Sequence, residues 1–200
     1  MGLISNGTTI FNNGAMESAL SGGALKFISK STASSSSSVD ITSGIDSTYK
    51  EYIFMFNNIH PSNDDITFHF QANASGGSGF NETITSTQFR ATVGEDGSSA
   101  SLGYLTSADQ AQGTSYQLLA GSVGSDNDQG LSGYLHIFNP ADTTFVTNFY
   151  GGFMSVAHSN RCNLQNVGGY FNTTSALDEF SFKFSAGTVD SGDIILYGVN

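Results

Sequence analysis

The chain has 200 residues, of which 38% are hydrophobic and 12% aromatic, enough for one domain with its own core and too few for two full-sized ones. Six Lys plus Arg stand against seventeen Asp plus Glu, a formal charge of -11, so most of the surface repels a partner gripped through phosphates and nucleic-acid binding is excluded. Charged residues make up 12%, about half the usual share, and the strand-favouring Phe, Tyr, Ile, Val and Thr outweigh the helix formers, which predicts an all-β protein.

In chain order, residues 1–23 mix the apolar pairs Leu3-Ile4 and Ile10-Phe11 with Gly and Asn breakers. They support neither a useful helix nor one long strand and read as an N-terminal arm. With Leu3, Ile4, Ile10 and Phe11 as candidate anchors, such an arm either folds back on its own domain or packs on a neighbouring subunit. The first basic residue is Lys26, so no secretory signal is expected. From residue 24 to 200 a single domain is expected. Ser34 to Ser38 reads as a loop or polar edge strand within it. Tyr52, Phe54 and Phe56 alternate with Ile53 and Met55, the pattern of a central strand covered on both faces. This run, the longest strongly apolar one, is far too short to cross a bilayer.

Ile66, Phe68 and Phe70, and again Phe180, Phe182 and Phe184, alternate with polar residues and predict one-faced strands. Further strands are expected near 82–93, 99–105, 115–120, 131–138, 143–150, 167–172 and 193–199. Turn-rich strings separate them, and Pro61 and Pro140 mark loops. Short strands at such intervals predict an antiparallel β-sandwich, jelly-roll-like, rather than βαβ units.

No nucleophile elbow, phosphate loop, HExxH or CxxC occurs, and no cofactor is expected. Cys162, the lone cysteine, reads as a passive, partly buried thiol. His60, His69, His136 and His158 are scattered, without the short-range pairing of a metal site. Glu82, Glu95, Asp109 and Asp178 are carboxylates of the type a glycosidase uses, but nothing in the sequence pairs them. The loop Ser125-Asp126-Asn127-Asp128-Gln129-Gly130 loosely follows a calcium loop, with Asp126 and Asp128 as candidate ligands, yet it lacks the closing bidentate Glu. Trp is absent, which removes the best sugar-stacking side chain. Tyr104, Tyr134 and Tyr170, with Asp126, Asn127 and Asp128, are the candidate glycan-facing residues.

The strings MGLISNGTTIFNNGAM at the start, SGIDSTYKEYIFMFNNIHP at 43–61, LSGYLHIFNP at 131–140 and FSFKFSAGTVDSGDIILYGV at 180–199 resemble structural proteins of tailed bacteriophages, particularly marine cyanophages. The resemblance covers most of the chain in patches and carries no site motif. It implies a non-enzymatic virion component, made in the host cytoplasm without a signal peptide. Such a component is displayed on the capsid or in a tail fibre or appendage, as a homotrimer or other homo-oligomer among other virion proteins. The alternatives are a carbohydrate-binding module or lectin-like adhesin for host surface glycans, and a polysaccharide-degrading enzyme.

Overall fold

The computed structural model describes residues 24–97 and 99–200 in full, and of the first 23 residues the backbone of three short strands. These strands, β1 (Leu3–Ser5), β2 (Thr8–Asn12) and β3 (Ala15–Met16), pair antiparallel as a separate small sheet, with Leu3 opposite Phe11 and Phe11 opposite Met16. Gly and Asn between the apolar pairs keep each strand short.

The larger sheet contains β4 (Leu25–Ser36), β5 (Val39–Ile41), β6 (Glu51–Pro61), β7 (Ile66–Ala74), β8 (Ile84–Gly94), β9 (Ala100–Tyr104) and β10 (Ala111–Gly113). It continues through β11 (Gln117–Val123), β12 (Gly130–Phe138), β13 (Thr147–Ala157), β14 (Arg161–Phe171), β15 (Leu177–Phe184) and β16 (Val189–Val199). One 3-10 turn, Thr106–Ala108, interrupts them, and no α-helix occurs among the described residues. The class is all-β, as composition predicts, and every pairing is antiparallel.

Neighbouring strands run β4-β16-β6-β12-β13-β14-β8-β9, with β10 on the end of β8, while β11-β7-β15-β5 form a second stretch. The two meet where Val123 of β11 pairs with Ala157 of β13, so the sheet nearly closes into a barrel. The serine run ends β4, a strand whose other edge has no partner strand among the described residues, and hydroxyls on such an edge offer little to aggregation. Pro61, expected in a loop, is instead the last residue of β6, where the ladder with β16 shifts register. A missing N–H is tolerated there. Gly192, opposite this irregularity, has φ +117, and a Cβ on it would stand 2.5 Å from the Asn58 carbonyl oxygen. Only glycine allows β6 and β16 to approach so closely.

The core lies between the two stretches. Phe182 of β15 is fully buried, its ring 5.0 Å from Phe54 and 5.1 Å from Phe56 of β6, and 6.4 and 6.3 Å from Phe68 and Phe70 of β7. Phe70 packs edge-on against Phe149 and Phe171 at 5.1 and 5.9 Å. The phenylalanine triplets therefore face inward as their spacing predicts, because each apolar stripe has another to cover it.

One end of the interior is polar. Gln88, Gln117 and Gln165 are buried, with Asn163 beside them. The Gln165 amide treats Gly121 as a neighbouring strand would: its oxygen accepts from the Gly121 N–H at 3.1 Å and its nitrogen donates to the Gly121 carbonyl at 3.5 Å. Gln88 donates to the Leu119 carbonyl at 3.1 Å. Beyond the single Val123 bridge, side-chain amides from β8 and β14 thus satisfy the edge of β11 that faces away from β7.

Candidate functional site

Alternation along the eight-strand stretch gives it an outer face as well as a core face. Tyr52, Phe54 and Phe56 point inward, so Ile53 and Met55 point out, and Met55 is 38% exposed. The expected cover on the second face of β6 is partial: Ile53 is buried there, while Met55 is exposed. The neighbours repeat the pattern. Tyr134, His136 and Phe138 project outward from β12, Tyr150 and Met154 from β13, Leu164 and Tyr170 from β14, Phe89 and Val93 from β8. Met154 is 56% exposed, Leu164 47% and Leu102 of β9 75%.

Register lines these side chains into rows. Ile195, Met55, Tyr134, Gly152, Asn166, Phe89 and Tyr104 are successive cross-strand partners from β16 to β9. In the next row Met154 lies opposite Leu164, Leu164 opposite Ala91, and Ala91 opposite Leu102. Such direct pairs bring side chains into contact across the pleat. The Tyr134 ring lies across Gly152: a Cβ there would be 3.0 Å from the tyrosine oxygen and 3.1 Å from the ring. Tyr134 meets His136 edge-on at 5.3 Å, and the Tyr150 hydroxyl donates to Asn166 Oδ1 at 3.1 Å.

Charge on this face is sparse and paired. His136 is hydrogen-bonded to the Glu51 carboxylate. At the β4 margin Lys30 reaches Asp193 at 3.2 Å, and the Thr32 hydroxyl and the Lys30 ammonium hold that carboxyl below the usual range. Most other carboxylates, such as Asp64, Asp65, Glu95, Asp96, Asp126 and Asp142, lie on connections between strands.

The structure gathers the three tyrosines singled out from sequence. Tyr104, Tyr134 and Tyr170 all point from the outer face, with Tyr104 and Tyr134 in one row four strand spacings apart, about 19 Å. The Tyr104 hydroxyl donates to Asp109. Asn127 and Asp128 line a groove of about 480 Å³ where this face ends, together with His60, Ser132, Met154 and Cys162. Asp126 serves the loop instead: its carbonyl accepts from His60 Nε2 at 3.2 Å and from the Gln129 N–H at 2.8 Å. Among the described residues no group of three or more His, Cys, Asp or Glu side chains is arranged to hold a metal, and Asp126 and Asp128 gain no third carboxylate. Cys162 is exposed in the groove rather than partly buried. The side chains of Leu3, Ile4, Ile10 and Phe11, the candidate anchors, lie outside the described residues.

The four potential glycosidase carboxylates have separate partners or places. Glu82 accepts from the Ala74 N–H at 3.0 Å and Asp109 from the Gln88 N–H at 3.1 Å, Glu95 lines a separate pocket beside Arg161, and Asp178 lies on β15. The residues that sequence reasoning missed are Phe89, Leu102, Tyr150, Met154 and Leu164. The one available signal was the apolar second face of residues 52–56.

No family model matches the chain, and no curated protein does. Among solved structures, a structural-genomics protein of unknown function from Bacteroides ovatus matches at 6% identity and a TM-score of 0.28. That match covers 52% of this chain and spans 45% of the other, and it carries no functional argument.

On the opposite side of the molecule His69 of β7 is bonded to Thr67 Oγ1 at 2.6 Å, and its ladder partner is Lys183, whose ammonium sits 3.9 Å over the Tyr116 ring. Burial, with the Lys183 charge adding to it, lowers the His69 pKa from 6.5 to about 4. The unfolded chain therefore binds a proton between these values that the folded chain refuses. The stabilisation is complete above pH 6.5 and is lost as pH falls toward 4, by up to about 3 kcal/mol. Urea unfolding of wild type and His69→Gln at pH 7 and pH 4.5 checks this. The wild type should lose more stability on acidification than the variant, and equal losses would assign the acid sensitivity elsewhere.

Proposed function

We propose that this chain is a non-enzymatic structural protein of a tailed-phage particle, working as an oligomer on the capsid or in a tail appendage. The particle assignment rests on the sequence resemblance. The observation that carries the structural role is the outer face: a broad set of apolar and aromatic side chains that stand exposed among the described residues, with Glu51 hydrogen-bonded to His136 and Asp193 ion-paired with Lys30. Exposed apolar surface of this extent marks a contact surface, and aromatic and Met enrichment with charge depletion is the composition of an interface centre. Catalysis instead needs convergent groups in a cleft. The two packed stretches are read as the two layers of a jelly-roll-like sandwich, an architecture that leaves one broad face available for contact.

Glycan recognition is the second reading, favoured by one feature. The Tyr134 ring spread over Gly152, with the Tyr150 hydroxyl and the Asn166 amide beside it, is a flat apolar platform flanked by polar groups, as sugar stacking requires.

The test is direct. An antibody raised against the purified chain should decorate intact phage particles in electron micrographs, and the labelled part distinguishes capsid from tail. Purified particles that lack the chain would overturn the virion reading. In parallel, saturable binding on a glycan array that disappears in Tyr134→Ala would make the second reading the correct one.

A further inference from the structure

We infer that the outer face of the eight-strand stretch is where this chain docks on a second copy of itself. This rests on reading that face as the working surface, and it names the partner. It also places the contact on the sheet, not on the N-terminal arm that the sequence suggests.

Charge selects the partner. Each copy carries a formal charge of -11, so two copies repel unless they meet where the carboxylates are not. The outer face is poor in carboxylates: Glu51, at its margin, is hydrogen-bonded to His136, and Asp193 is ion-paired with Lys30. A strongly cationic partner would find nothing to grip at its centre, where Tyr134, Met154 and Leu164 stand. A partner for this patch must itself present a neutral apolar surface, and every copy of the chain carries one.

Size agrees. The rows run across seven strands from β16 to β9, about 29 Å at ~4.8 Å per spacing. From the row of Phe138 to that of Val156 is a further ~27 Å along the strands. The footprint is thus on the order of 800 Å², what each partner buries in a standard stable interface. The chain leaves Leu102, Met154 and Leu164 in water, a cost that burial against a second copy removes at roughly 25 cal/mol per Å².

The experiment is light scattering on the full chain across a concentration series, for wild type, Met154→Lys and Leu164→Glu. Both positions are exposed, so the folded monomer tolerates either change, and an unchanged melting temperature at low concentration checks this. Wild type should show at least twice the monomer mass of 21.0 kDa, and each variant should be monomeric. Added salt should strengthen the wild-type association, because it screens the repulsion between like net charges while leaving the apolar contact intact. A wild-type monomer at every concentration overturns the inference. So does an assembly that survives both substitutions, which would move the interface to the arm or to an edge strand. Glycan binding by a monomeric wild type, lost in both variants, would assign the face to carbohydrate. Absence of the chain from phage particles bears only on the proposed function, because self-association is read on the isolated protein.

Discussion

Gln165→Leu should lower the unfolding free energy by about 1 to 3 kcal/mol, although it keeps side-chain size and introduces an apolar residue into the interior. The Gln165 amide satisfies the N–H and shares in satisfying the carbonyl of Gly121, on a strand edge that has only one backbone bridge to β13. Leucine leaves a buried donor without a partner, and Asn163 holds the Gly121 carbonyl only at 3.5 Å. Removing one partner of a buried hydrogen bond costs the full desolvation of the other. In urea the midpoint should fall with an unchanged slope, which separates lost stability from a changed unfolded state. Gln165→Glu adds a discriminating arm. It keeps an acceptor for the Gly121 N–H but buries a carboxylate, so it should destabilise more at pH 7 than at pH 5, where protonation relieves the charge. A loss below about 1 kcal/mol for Gln165→Leu would mean that β11 is held by β7 alone.

Phe182→Ala should cost about 3 to 5 kcal/mol. Its ring lies within 6.4 Å of four other phenylalanine rings drawn from β6 and β7, and the cavity would sit at the contact between the two stretches. Against a total stability of about 5 to 15 kcal/mol, that loss places the protein close to unfolding at ordinary temperatures. Phe145→Ala is the matched control: the same atoms are removed from a side chain 72% exposed in a loop, and the melting temperature should hardly move. Equal effects at the two positions would show that Phe182 is not at the centre of the core.

These two residues also separate what was legible in the sequence from what was not. Phe182 was readable because its stripe, Phe180, Phe182 and Phe184, is apolar on one side and polar on the other; on the polar side Lys183 is half-buried and Ser181 is buried against Asp40 and Tyr116. Gln165 was not. On β14 the alternation is inverted: Asn163 and Gln165 point inward while Leu164 points out, and β8 does the same with Gln88 and Phe89. A period-two reading assumes that apolar means inward, so residues 161–166 were not expected as a strand, and Leu164 and Phe89 were not expected in the outer face. The three tyrosines were chosen for their chemistry. That they share one face followed from register, which no local pattern specifies across strands far apart in the chain.

The all-β class, the approximate position of most strands and the inward-facing phenylalanines are legible in the residues alone, because each depends on local propensity and alternation within one strand. The strand order, the near closure of the sheet through β11 and the amide-lined end of the interior emerge only in the folded molecule. So does the assembly of scattered apolar residues into one exposed outer face. The physical reason is that these features depend on which strands become neighbours, and that choice is made by pairing across long separations in the chain, where a buried glutamine or an exposed leucine takes its meaning from the partner opposite it.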